Sequence, residues 1–270
     1  EQRERLLQLQ FGGASGTLAA IGEKGLAVTQ GLAAELKLTP AVIPWHSQRD
    51  CFCEFAGWLS LLTASLAKMA QDIILLAQNE VGEVAESGGR DRGGSSSMPQ
   101  KRNPIVSELI VSAARTNASL LSAMHNAMVQ EHERATHGWQ GEWLTFSQMI
   151  LLAGGALKNA LFLAENLIIN ETCMRENLNR SNYLVLAEAV VGALSAEIPR
   201  TEAHAMVKDA CAVAVSKDAS LIEVVKKQYS AVAPNNKIDW QALAKPENYL
   251  GQTEHFIDRV IEQAKRPIGR

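Results

Sequence analysis

Residues 48–86 read QRDCFCEFAGWLSLLTASLAKMAQDIILLAQNEVGEVAE, without a single proline. Phe52, Phe55, Leu59, Leu62, Leu66, Met69, Ile73, Leu76 and Val84 recur largely every three or four residues, the spacing of one helix face. One helix over the whole stretch is expected, on the order of 50 Å long at ~1.5 Å per residue. A helix of that length implies a bundle or a core shared between chains. Further long helices are expected from Pro104, placed in a first turn where proline is tolerated, to about His132, and from Trp139 to about Ile169. A shorter one follows Gly12–Gly16 and runs to about Leu38, ahead of Pro40 and Pro44. Strand signals are nearly absent. Beyond Asn170 the segments shorten, with breaks at Pro199, Pro234 and Pro246 and helices expected near 183–195, 200–217, 220–230 and 252–265. The expected fold class is all-α: a long-helix bundle domain over 1–180, then a small helical domain over 181–270.

Composition narrows the function classes. Of 270 residues, 47% are hydrophobic and 20% charged, with a net charge of -3, so no basic excess marks a nucleic-acid binder. No uninterrupted apolar run approaches the roughly 20 residues of a membrane span, and no membrane partner is expected. Cys51, Cys53, Cys173 and Cys211 are too scattered for a disulfide scaffold and complete no zinc motif, which fits a reducing, cytoplasmic setting. Glu1–Leu7 reads like the interior of a charged helix without an initiator Met, and the chain is expected to lack an N-terminal portion of a longer protein.

Chemistry concentrates in residues 93–104, Gly-Gly-Ser-Ser-Ser-Met-Pro-Gln-Lys-Arg-Asn-Pro. Glycines let backbone approach a ligand, three hydroxyls offer donors, and Lys101 and Arg102 add charge. The combination suits an anion. His132 and His137 lie five apart, about 140° round a helix, which rejects a zinc-protease reading. Gly12–Thr17 has the composition of a phosphate loop without its spacing. Arg49 is poorly placed for a helix dipole and is open to a substrate or interface role. Trp139 and Trp143, four apart, share a helix face and serve packing or a pocket wall. His46, His125, His204 and His255 show no partner in the sequence and read as structural or solvated.

The stretch from Gly94 to Pro104, GSSSMPQKRNP, resembles the G-S-S-x-M-P-x-K-x-N-P signature of the fumarase/aspartase superfamily. That resemblance implies a central long-helix domain packing into a twenty-helix core in a homotetramer, a small helical domain, and active sites shared between three subunits. It implies carbanion chemistry beside a carboxylate, with neither metal nor organic cofactor. By position, Ser95 matches the catalytic base, Lys101 and Asn103 the carboxylate holders, and Ser96, Ser97 and Met98 the rest of the loop at 88–104 that closes over substrate. Residues 131–143, EHERATHGWQGEW, bear on the branch. Where adenylosuccinate lyases carry a nucleotide-binding Ser and Arg, this chain has Trp139 and Trp143, and an indole cannot grip a phosphate as a guanidinium does. The pattern looks like the cycloisomerase branch, in which a small tricarboxylate closes onto its own double bond. Arg49, Arg134, Trp139 and Lys101 are then expected to meet substrate. Another lyase of the superfamily, or a structural homologue without activity, is the alternative. The superfamily's His-containing block belongs upstream of Glu1, so no acid–base partner is named here.

Overall fold

The computed structural model describes residues 5–87 and 103–266. They fall into two compact units, Glu1–Asn170 and Glu171–Arg270. The division lies ahead of the expected position near 180, because Glu171–Arg180 forms a helix of its own that the sequence reading did not anticipate.

The first unit is organised by three helices: α1 (Asp50–Leu76), α2 (Ile105–Ala127) and α3 (His137–Asn166). Each buries one narrow stripe. In α1 it runs Cys53, Ala56, Leu59, Thr63, Ala70, Ile73, and in α3 Glu142, Thr145, Met149, Ala153, Ala156, Ala160, Leu163. Small residues on these stripes let the axes approach closely, while Met124, Met149 and Leu163 fill the space between them. Asn117 on α2 crosses the seam, donating from Nδ2 to Thr63 Oγ1 at 3.4 Å and to the Met149 carbonyl at 3.3 Å. By length and composition alone α1 and α3 are each long and apolar enough to cross a membrane, a test that core helices of a bundle also pass. Interspersed small polar residues hide this property from a search for unbroken apolar runs.

Helix α1 is shorter than expected. Its 27 residues span ~40 Å, and it ends at Leu76 rather than continuing to Glu86. The amide of Gly82 turns back to the Gln78 carbonyl, and Gly82 adopts φ +62, a conformation that favours glycine. The chain then forms β1 (Val84–Glu86), antiparallel to β2 (Leu167–Ile169), which likewise cuts α3 short at Asn166. Apolar periodicity continued into both strands, so the sequence placed helix where short sheet forms. A second small pair, Gln8–Leu9 with Thr39–Pro40, is parallel and brackets a helix over Gly25–Leu36.

Glu86 ends its strand against the first turn of α2. Its carboxylate accepts from the amides of Val106 at 3.0 Å and Ser107 at 2.8 Å, and from Ser107 Oγ at 2.7 Å. Three otherwise unpaired donors at a positive helix end are satisfied by one anion. This joins the two stems that flank residues 88–102.

In the second unit, helices Ala187–Leu194, Arg200–Lys217 and Leu221–Val232 bury Val190, Leu194, Val207, Leu221 and Val225. Tyr229 donates to Glu197 at 3.0 Å, and Glu197 also receives the Lys237 amide at 2.8 Å. A final helix, Thr253–Lys265, leaves Phe256, Ile257, Val260 and Ile261 exposed.

Replacing Glu86 with Ala is expected to lower unfolding free energy by about 2 kcal/mol, since helix-end donors lose a charged acceptor. Glu86→Gln should lose less. Thermal melts of the two variants check the order.

Candidate active site

The stretch Gln10–Ser47 and the turn Gln130–Thr136 converge beside the start of α3. Gly12 is obligatory there: a Cβ would sit 2.7 Å from His46 Cε1 and 2.8 Å from Pro44 Cβ. Trp45 is held from two sides, its amide donating to Gln10 Oε1 at 2.8 Å and its indole to the Leu9 carbonyl at 3.1 Å. These contacts fix the backbone on either side of His46. Across from them, His132 and Ala135 adopt φ +47 and +36, strained for non-glycine residues. Ser47 Oγ donates to the His132 carbonyl, and Glu131 receives the Thr136 amide at 3.3 Å, so the strained turn is tied at both ends.

Between these segments lies a cavity of about 840 Å³. Ser15, Gly16 and Thr17 form one wall, Pro44, His46 and Ser47 a second, and Gln130, His132 and Glu133 a third. Hydroxyls, imidazoles and the amides of Gln48 and Gln130 line it, with Glu133 as the one carboxylate among its lining residues.

Behind the cavity sits a buried ion pair. Arg49 grips Glu142 with two bonds, Nε to Oε1 at 2.8 Å and Nη2 to Oε2 at 2.5 Å, with side chains only 10% and 3% exposed. Gln130 Nε2 also donates to Glu142 Oε1 at 3.2 Å, linking the pair to the cavity wall. The guanidinium lies 5.0 Å from the Trp45 ring and 4.8 Å from Phe52. Stacking and a bidentate carboxylate hold Arg49 as a strut.

His46 is 8% exposed, and its imidazole pKa is pushed below the usual range, first by burial and then by the Arg134 and Arg49 charges; Glu133 opposes the shift. Its neutral form is therefore favoured. Burial and the nearby Glu142 charge push the Cys53 thiol up, and its Sγ lies 3.4 Å from His125 Nδ1.

The sequence-expected residues separate into groups. Ser95, Ser96, Ser97, Met98 and Lys101 lie outside the described residues. Asn103 ends the stem before α2, its carbonyl receiving the Ile105 amide at 2.9 Å. Arg49 is committed to Glu142 instead of facing the cavity. Trp139 stands behind the wall, its indole donating to the His46 carbonyl at 3.2 Å, and Arg134 covers the Trp139 ring at 4.7 Å. Trp143 is 63% exposed, with its ring 6.1 Å from that of Trp139. The sequence reading missed His46, Gln130 and Glu142. A signal existed for Glu142 alone: a carboxylate on the buried register of α3 demands a cationic partner.

The family described as Lyase matches residues 1–116, and that described as Adenylosuccinate lyase C-terminus matches residues 184–260. The 3-carboxy-cis,cis-muconate cycloisomerase of Pseudomonas aeruginosa is 44% identical over 97% of this chain and 57% of its own length. Trans-aconitate decarboxylase 1 of Mycosarcoma maydis is 38% identical over 97% of this chain and 53% of its own. The crystal structure of 3-carboxy-cis,cis-muconate lactonizing enzyme from Pseudomonas putida superposes with a TM-score of 0.87 at 42% identity, covering 97% of this chain and 58% of that one. The chain thus spans a little over half the length of these relatives.

Glu142→Ala is expected to destabilise by about 3–5 kcal/mol, because it leaves a buried guanidinium unpaired; the double change Arg49→Met with Glu142→Met should cost less. Urea denaturation compares them. His46 bears on pH dependence. Its folded pKa lies below the unfolded value of about 6.5, so its stabilising contribution is complete above that pH and is lost as pH falls toward the folded value. An NMR titration of the His46 ring should give a midpoint below that of an exposed histidine.

Proposed function

We propose that this chain belongs to the fumarase/aspartase superfamily and forms part of a cycloisomerase converting 3-carboxy-cis,cis-muconate to 4-carboxymuconolactone. The observation that carries the choice of substrate is Trp139 at the start of α3. A nucleotide-binding relative needs a hydroxyl or guanidinium there to hold phosphate, and here an indole occupies the place with its N–H already committed to His46. The donor-rich cavity beside it suits carboxylates. Similarity to proteins named as this cycloisomerase supports the same reading.

In the proposed reaction a substrate carboxylate oxygen adds to the carbon–carbon double bond and forms the lactone C–O bond. The π electrons move to the adjacent carbon, where the neighbouring carboxylate delocalises them, and that carbon then takes a proton. The tricarboxylate trianion thus takes up one proton, delivered to carbon, and becomes the lactone dianion; nothing is oxidised. Ser95 is assigned the proton transfer, and Lys101 and Asn103 hold the carboxylate on which negative charge builds, the place where fixed donors lower the barrier most. Arg134 adds positive potential from behind the cavity wall. The assignment places the protein in protocatechuate catabolism, as a cytoplasmic homotetramer whose sites draw residues from three subunits.

The purified protein should change the ultraviolet absorbance of 3-carboxymuconate. Ser95→Ala is expected to reduce kcat by about 10²-fold or more, the usual contribution of a positioned acid–base group. Lys101→Met should reduce kcat/KM strongly. Turnover of adenylosuccinate with none of 3-carboxymuconate overturns the proposal.

A further inference from the structure

We propose that His46 is the carboxylate-recognising contact of the 840 Å³ cavity and that Trp139 is a positioning residue acting through it. This rests on the reading of that cavity as a polycarboxylate site.

Three observations carry the assignment. His46 lines the cavity, and among the described residues its ring nitrogens have no hydrogen-bond partner, so they stay open to that cavity. A polar ring held at a cavity wall with its nitrogens unbonded offers a donor and an acceptor to a ligand in that cavity. Its place is fixed with unusual completeness. Gly12 leaves no room behind Cε1, and the Trp139 indole N–H holds its carbonyl at 3.2 Å. The surrounding charge selects an anion. Arg134, stacked on Trp139, acts electrostatically on the ring, whereas the charge of Arg49 is met by Glu142; Glu133 and His132 are the titratable groups of the cavity wall besides His46. A neutral imidazole N–H can donate to a carboxylate oxygen without bringing a counter-charge of its own. Trp139 reaches the ligand only through residue 46, because its single donor is already used.

The test is a double-mutant cycle on the intact protein with two readouts: KM and kcat for 3-carboxymuconate, and the dissociation constant of tricarballylate, an unreactive tricarboxylate, by calorimetry. His46→Asn should weaken tricarballylate and raise KM about tenfold, the loss of one hydrogen bond to a charged acceptor, with kcat within about twofold. Trp139→Phe keeps an aromatic face for Arg134 and removes only the donor; it should show a smaller loss of the same kind. Trp139→Tyr gives the same reading if the Phe variant does not fold. Acting through His46 requires that the Trp139 change add nothing in the His46→Asn background. Full additivity, or unchanged affinity in His46→Asn, overturns the proposal. If the cycle holds for tricarballylate while 3-carboxymuconate is not turned over, the cavity assignment stands and the cycloisomerase reading fails. If tricarballylate does not bind the unmodified protein, the His46 assignment itself fails.

Discussion

The Arg49–Glu142 pair is the constraint on which the arrangement of the first unit depends. It joins the residue that opens α1 to the second turn of α3, and it reaches the 130–136 turn through Gln130. Two charges removed from water cost several kcal/mol each unless bonded on both sides, so the pair tolerates little displacement. Its bidentate geometry, with Trp45 and Phe52 near the guanidinium, holds three separate chain segments in register. A hydrophobic contact at the same place could slide. A paired fork cannot slide without exposing an uncompensated charge.

From that anchor the cavity follows. The turn carrying His132 and Ala135 in left-handed conformations is tied by hydrogen bonds of Ser47, Glu131 and Gln130. Trp139, one turn ahead of Glu142 on α3, reaches the backbone of His46. The buried pair thereby sets the distance between the wall that bears His46 and the wall that bears Glu133. At the far end of the same bundle, Glu86 performs a comparable service for the stems on either side of residues 88–102. Both devices use a carboxylate to satisfy donors that the helical backbone or a buried cation leaves open. Both place charge where the apolar seam of small residues offers no directional hold.

Residue types legible in the chain and residue roles came apart at this site. Arg49, Arg134 and Trp139 were identified from pattern and resemblance, yet Arg49 is internal and Trp139 stands behind the wall it helps to place. Sequence spacing shows which residues share a helix face; it does not show which loop crosses that face. His46 illustrates the gap. Nothing in Pro44-Trp45-His46-Ser47 distinguishes a ligand contact from a solvated histidine, because the groups that bury it, Gly12 and Trp139, are distant in sequence. Helix ends were misjudged for a related reason. Apolar residues continue past Leu76 and past Asn166, and only the pairing of 84–86 with 167–169 makes them strands.

The sequence by itself determined the helical class, the three long elements of the first unit, the change of texture after Asn170 and the resemblance to a superfamily signature over eleven residues. Those properties are local: periodicity, proline placement and a short motif need no knowledge of distant neighbours. Only the tertiary structure decided where α1 and α3 stop, that Arg49 and Glu142 neutralise each other, and which imidazoles face the cavity. Each of these depends on contacts between segments dozens of residues apart, where burial turns a charge or a polar ring from a surface feature into a group that must find a partner.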